Sequence, residues 1–168
     1  MSTTTLAHLP PAVSDSVQTL SITKEISIAA PVEMVFDSVL EEMGPGSEMP
    51  DGTPFPMKIE PWPGGRWYRD TGNNTGHFWG HVQVIKPPPH PHPVLEVCGP
   101  MFMSYPAMSH VQYRLIPQPG GTLLRITHRA LGLIPPDHAE GVHSGWQHGL
   151  DRIRLIAERR AAKKHASR

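Results

Sequence analysis

An α+β fold, with a curved antiparallel sheet wrapped around a long C-terminal helix, is expected from three observations. A strand-like run from Leu20 to Ala29 leads directly into a short amphipathic helix that begins at Pro31. The chain then alternates as strands separated by Gly- and Pro-rich turns. A single long helical pattern, Pro136 to about Arg160, closes it. A sheet that grips a terminal helix tends to enclose a pocket between the two, so a ligand-holding domain is the first expectation.

In the first strand Leu20, Ile22, Ile26 and Ile28 share one face, with Lys24 as the exception, and Ser21, Thr23, Glu25, Ser27 and Ala29 take the other. Such alternation places one side on a core and the other in water. Pro31 suits the first position of a helix, and Glu33 puts negative charge in its first turn. Val32, Val35, Phe36, Val39, Leu40 and Met43 follow as an apolar stripe at helical spacing. Prolines and glycines then punctuate Gly44 to Pro63, which reads as a long loop with at most a brief strand near Met57 to Glu60. Gly64-Gly65 turns into a strand at Arg66 to Asp70, and Thr71 to Gly76 reads as a hairpin turn. Further strands are expected at His77 to Ile85, Val94 to Cys98, Ser109 to Ile116 and Thr122 to Ala130. Pro87 to Pro93 is a connector, because prolines cannot supply ladder donors.

The last helix follows Pro135-Pro136, with Asp137 in its first turn and Val142, Trp146, Leu150, Ile153 and Ala157 as its apolar face. Gly141, Gly145 and Gly149 run beside that face. Glycine weakens a helix, so three at this spacing have two explanations, close packing or room for a ligand. The domain organisation expected is a loose arm at residues 1–18, one domain over 19–160 and a basic tail at 161–168.

Hydrophobic residues make up 38% and charged residues 18%, a soluble globular composition. Lys plus Arg and Asp plus Glu both number 15, which argues against nucleic acid as a partner and against a polybasic membrane contact. No apolar run approaches the ~18 residues of a membrane span, so no stable membrane insertion is expected. The N-terminal stretch lacks the pattern of a signal peptide. Cys98 is the only cysteine, which excludes an intrachain disulfide and fits a cytoplasmic location.

Eleven histidines invite a metal hypothesis, and spacing argues against it. His77 and His81 share a strand face but stand about 13 Å apart. His138, His143 and His148 turn by about 140° from one to the next on a helix. No metal is expected, and no cofactor: phosphate loops, dinucleotide fingerprints and nucleophile elbows are absent. His128 differs from the others. Leu124, Ile126 and Ala130 share its face, so it should point inward, either as a neutral imidazole bonded to a buried neighbour or as a polar anchor or acid/base group in a pocket. Phe78, Val82 and Val84 form a similar inward set, which turns Trp79 and His81 outward unless a bulge shifts the register. Met101, Phe102, Met103, Tyr105 and Met108 crowd a short stretch that reads as core filling, a pocket wall or a mobile lid. The polar groups Arg66, Arg69, Asp70 and Glu96 read as surface ion pairs.

Several strings, taken in order, resemble a known family. They are Ile28-Ala29-Ala30-Pro31-Val32-Glu33-Met34-Val35-Phe36, Pro63-Gly64-Gly65-Arg66-Trp67, Gly80-His81-Val82-Gln83-Val84-Ile85-Lys86-Pro87-Pro88 before Leu95-Glu96, Gly121-Thr122-Leu123-Leu124-Arg125-Ile126-Thr127-His128, and Gly145-Trp146. The sequence resembles the SRPBCC, or START-like, superfamily over about Thr19 to Glu158. Within it, the resemblance is to the family named for the activator of the heat-shock-protein-90 ATPase. The resemblance implies a helix-grip fold around a cavity, and members that bind or process apolar small molecules such as lipids, polyketides and hormones. Two departures from the chaperone activator are expected: no room for its additional N-terminal domain, and a long loop at Gly44 to Pro63.

The leading expectation is therefore binding of a small hydrophobic or amphipathic molecule between sheet and helix. Trp146, Val142, Leu124, Ile126 and His128 are the first lining candidates, with Phe78, Val82, Trp67, Met101 and Met103 beside them. One alternative is an enzyme of the polyketide cyclase or hydrolase kind with His128 as acid/base. Another is a protein-interaction module, with a chaperone as partner.

Overall fold

The computed structural model describes residues 15–167, so positions 1–14 of the expected arm lie outside the described residues. The elements follow as β1 (Gln18–Ile28), α1 (Val32–Glu42), β2 (Lys58–Ile59), β3 (Arg66–Gly72), β4 (Thr75–Lys86), β5 (Val94–Gly99), β6 (Ala107–Gln118), β7 (Gly121–Gly132) and α2 (Pro136–Ala166). The seven strands form one sheet in the order β1-β7-β6-β5-β4-β3-β2. Every neighbouring pair is antiparallel. The expected α+β helix-grip architecture is the observed one.

Alternation explains the long strands. In β7 Thr122, Leu124, Ile126, His128 and Ala130 are buried, while their neighbours are less so or exposed. In β6 Ser109, Val111, Tyr113 and Leu115 do the same. The hairpin between them turns on Pro119-Gly120, with Gly120 at φ +80°, a value glycine adopts without steric cost. The β3–β4 hairpin turns on Asn73 and Asn74, both at positive φ (52° and 59°), the two-residue geometry that Asn tolerates. Lys24, the exception on β1, reaches Gln147 of α2 at 3.4 Å. A cation on the inner face of a long edge strand discourages pairing with another chain.

The core lies between the sheet and α2. Leu150, Ile153, Ala157 and Ala161 of α2 pack with Val35, Phe36 and Val39 of α1 and with Val111, Tyr113, Leu124 and Ile126 of the sheet. A second, smaller cluster joins Leu20, Ile22, Ala130, Ile134, Met103 and Val142. Phe102 and Trp146 touch both. No helix among the described residues is long and apolar enough to cross a membrane.

Three expectations need correction. The last helix runs to Ala166, so most of the basic tail expected at 161–168 is helical. Cations in that last turn (Lys163, Lys164, His165) favour its continuation by opposing the helix dipole. Pro31 caps α1 from outside, with φ −59° and ψ 152°, rather than occupying its first turn. The third correction concerns β4. The register slips at Trp79 and again at Gln83, because Trp67 faces Gly80 while Tyr68 faces Phe78, and Val82 faces Val97 while Val84 faces Glu96. Each extra residue reverses the faces beyond it. Trp79 therefore packs on the core and Phe78 is 43% exposed; Ile85, not Val84, takes the inward position.

Candidate functional site

The site is built on β7, where alternation aims His128 into the core. Its side chain has no solvent exposure. Trp146, from the middle of α2, donates its indole N–H to His128 Nδ1 at 2.9 Å. That fixes the tautomer: Nδ1 accepts, so Nε2 carries the proton and donates to Ser109 Oγ on β6 at 3.0 Å. Burial, with a smaller contribution from His110, lowers the His128 pKa to about 4. The imidazole is thus neutral at physiological pH, as a fully bonded group in an apolar setting should be. Proton transfer between His128 and a ligand would require one of its two hydrogen bonds to open.

Trp146 crosses from His128 to Tyr113, its ring meeting both edge-on at 5.5 and 6.3 Å between centroids. Tyr113 is buried, and burial together with the nearby Glu42 carboxylate pushes its phenol far up, so it stays protonated. Glu42, at the end of α1, is itself only 9% exposed. Burial raises its pKa to about 7, against the attraction of Arg152. Arg152 on α2 gathers Glu42 at 3.4 Å, Glu48 at 3.1 Å and the Gly46 carbonyl at 3.0 Å. His148, one turn earlier, bonds the Glu48 carbonyl at 3.2 Å. These contacts fasten the loop at 44–57 to α2. Neither Glu42 Oε2 nor Arg152 Nε finds a hydrogen-bond partner, so their pairing is electrostatic.

An aromatic wall completes the interior. Trp67 donates to the Met43 carbonyl at 2.7 Å and meets Trp79 edge-on at 4.8 Å. Trp79 also packs against Phe55 and Phe102 at 6.2 and 5.1 Å. Its indole N–H is buried without a partner. Phe102 leads to α2 through His138, whose ring it meets edge-on at 5.0 Å.

Of the residues expected to line a pocket, Trp67, Val82, Met101, Leu124 and Ile126 belong to the larger cluster, and Met103 and Val142 to the smaller. Trp146 sits half-buried between the two, with His128 at its N–H. Phe78 is separated from them by the bulge at Trp79. It lines instead an open cleft of about 560 Å³ at the β3–β4 hairpin, with Tyr68, Arg69 and His77. A second open cleft, of about 450 Å³, is lined by Asp37, Leu40 and Glu41 of α1, Ile59 of β2 and Arg160 of α2. Neither cleft is lined by the other nine residues.

Close packing does not explain the α2 glycines. A Cβ built on Gly141, Gly145 or Gly149 meets nothing within 4 Å. No group of three or more His, Cys, Asp or Glu among the described residues is placed to share a metal ion. The residues that sequence reading missed are Ser109, Glu42, Arg152 and Trp79. Ser109 was accessible to it, as the one polar residue in the inward row Ser109, Val111, Tyr113, Leu115.

The geometry can be set beside known proteins. A protein of Rhizobium leguminosarum is 19% identical, covering 86% of this chain and 97% of that one, with a TM-score of 0.64. CalU16 of Micromonospora echinospora is 20% identical, covering 86% and 83%, with a TM-score of 0.57. The di-domain ARO/CYC protein StfQ of the steffimycin biosynthetic pathway is 12% identical with a TM-score of 0.57; 86% of this chain aligns with 52% of StfQ. At these identities the likeness shows the shared fold. No curated protein sequence matches the chain. The model of one family, Activator of Hsp90 ATPase homolog 1-like protein, matches residues 29–158. That match spans α1, the strands from β2 to β7 and most of α2, and the chain therefore belongs to the Activator of Hsp90 ATPase homolog 1-like family, of SRPBCC type.

Proposed function

We propose that this protein binds a small hydrophobic or amphipathic molecule between the inner face of the sheet and the N-terminal half of α2. The observation that carries this reading is the position of Trp146. It points at the sheet, yet it is only half-buried and lies where the core divides into two clusters. Apolar surface of Val142, Met103, Phe102 and Trp146 supplies affinity through its removal from water. The His128–Trp146 hydrogen bond gives this apolar seam a polar element that can orient a ligand. The open flank at Gly141, Gly145 and Gly149 is compatible with an approach from that side. The aromatase/cyclase described by its name among the structural neighbours lends support to small-molecule chemistry on this fold. A cyclase- or hydrolase-type activity is the second reading, with the shaped seam orienting the substrate and His128 acting as acid/base once one of its two hydrogen bonds opens.

Titration with a panel of fatty acids, lysolipids and polycyclic aromatics, followed by native mass spectrometry, tests the reading. At least one class should bind with a Kd below about 100 µM, equivalent to roughly −5.5 kcal/mol. Failure of every class to bind at that level contradicts it.

A further inference from the structure

The segment at residues 100–106 joins β5 to β6 and crosses to the first turn of α2. Its backbone is held at its base by Met101 N–H to the Trp79 carbonyl at 2.8 Å and at its end by Leu133 N–H to the Pro106 carbonyl at 2.9 Å. Met101 takes φ +56°, a left-handed conformation unfavourable for a residue with a long side chain, so the segment is bent sharply away from the path of β5. Met103 is buried beside Val142, while Phe102 touches both core clusters. The segment thus contributes Met103 and Phe102 to the smaller cluster, on which Trp146 also packs.

Tyr105 and His138 join this segment to the helix. The Tyr105 hydroxyl and His138 Nδ1 are hydrogen-bonded, and the rings meet edge-on with centroids 5.5 Å apart. Burial lifts the Tyr105 phenol above its ordinary value and holds the His138 imidazole below its own, so both partners favour their neutral forms. Phe102 packs on the same imidazole. Among the described residues this is the only hydrogen bond shown between the segment and α2.

We propose that Tyr105 and His138 form a clasp that fastens the segment at 100–106 to the first turn of α2 and governs passage of a small molecule into the seam beneath Trp146. The gate rests on the ligand-binding reading given above. The clasp is a single hydrogen bond between two partly buried side chains, and its net worth is small enough to open often. Phe102 and Met103 move with it, so opening it exposes the junction of the two clusters.

Two measurements on the full chain test it. Amide hydrogen exchange needs no ligand: in Tyr105→Phe, exchange at 101–106 and at 136–141 should speed by about 5-fold, the effect of one lost hydrogen bond, with β6 and β7 unchanged. Stopped-flow fluorescence with 1-anilinonaphthalene-8-sulfonate reads passage. Uptake and release should both accelerate by about 3-fold or more in Tyr105→Phe, with affinity held within about twofold, since a gate changes rates rather than the bound state. His138→Phe should behave likewise, and the double variant should add nothing, because both remove the same bond. Unchanged exchange in both segments, or uptake and release at wild-type rates, overturns the gate alone. No uptake by the wild-type protein overturns the ligand-binding reading and the gate together.

Discussion

Trp146 and His128 tie the middle of α2 to β7 through one hydrogen bond of 2.9 Å from indole N–H to Nδ1. It is the central polar contact between helix and sheet, and it sits where the two core clusters meet. His128→Ala removes it, leaves the indole N–H and the Ser109 hydroxyl without that partner, and opens a cavity. Chemical denaturation should show a loss of about 2–4 kcal/mol. Trp146→Phe keeps most of the apolar surface and should lose about 1–2 kcal/mol.

Acid should act through the same histidine. The folded pKa of His128, lowered to about 4, lies below its unfolded value near 6.5, so the folded state binds fewer protons. Its contribution to stability is full above the unfolded value and is lost as pH falls through about 4. An NMR titration of the His128 ring should show it neutral down to about pH 5. In His128→Phe the stability change between pH 6.5 and pH 4 should be smaller than in wild type by an amount on the order of 2–3 kcal/mol.

Glu42 should give the opposite slope. Its folded pKa, raised by burial to about 7, lies above the unfolded value of 4.5. The stability associated with its protonated form is fully present below the unfolded value and is lost as pH rises through about 7. Arg152, Glu48, Glu41 and Tyr113 face this carboxyl and stay in place in Glu42→Gln. Because His128 acts with the opposite sign over part of this range, the test is a difference: between pH 5 and pH 8 wild type should lose stability relative to Glu42→Gln by an amount on the order of 2 kcal/mol.

The glycine flank of α2 offers a stabilising test. Added methyl groups at Gly141, Gly145 and Gly149 meet no atom within 4 Å. Each Gly→Ala change should stabilise by roughly 0.5–1 kcal/mol, because the helix no longer bears the backbone entropy of glycine. Thermal unfolding of the triple variant should rise by several degrees; no rise would mean that these positions make contacts the open flank does not show.

Much of this was legible in the sequence, for reasons specific to each element. β6 and β7 alternate without interruption, and β1 does so apart from Lys24, so their faces, and His128 with them, could be assigned by counting. Val142, Trp146, Leu150, Ile153 and Ala157 marked the buried stripe of α2 by spacing alone. β4 failed because two bulges, at Trp79 and Gln83, change the count without a local sequence mark. That error turned Phe78 inward and Trp79 outward. The Glu42–Arg152–Glu48 network joins residues from α1, a loop and α2, and periodicity within one element carries no information about such a meeting. The Tyr105–His138 bond escaped for the same reason: histidines were weighed for metal binding within single elements, while the partner lay on another segment.

The most direct measurement is the NMR position of the Trp146 indole N–H during titration with a ligand found by the panel. Binding in the seam should shift that signal and the His128 ring signals together, at the same midpoint, while signals from the β3–β4 hairpin stay still. A ligand that saturates the protein without moving Trp146, or that shifts only the hairpin cleft around Phe78 and Tyr68, would contradict the placement of the binding site between sheet and helix.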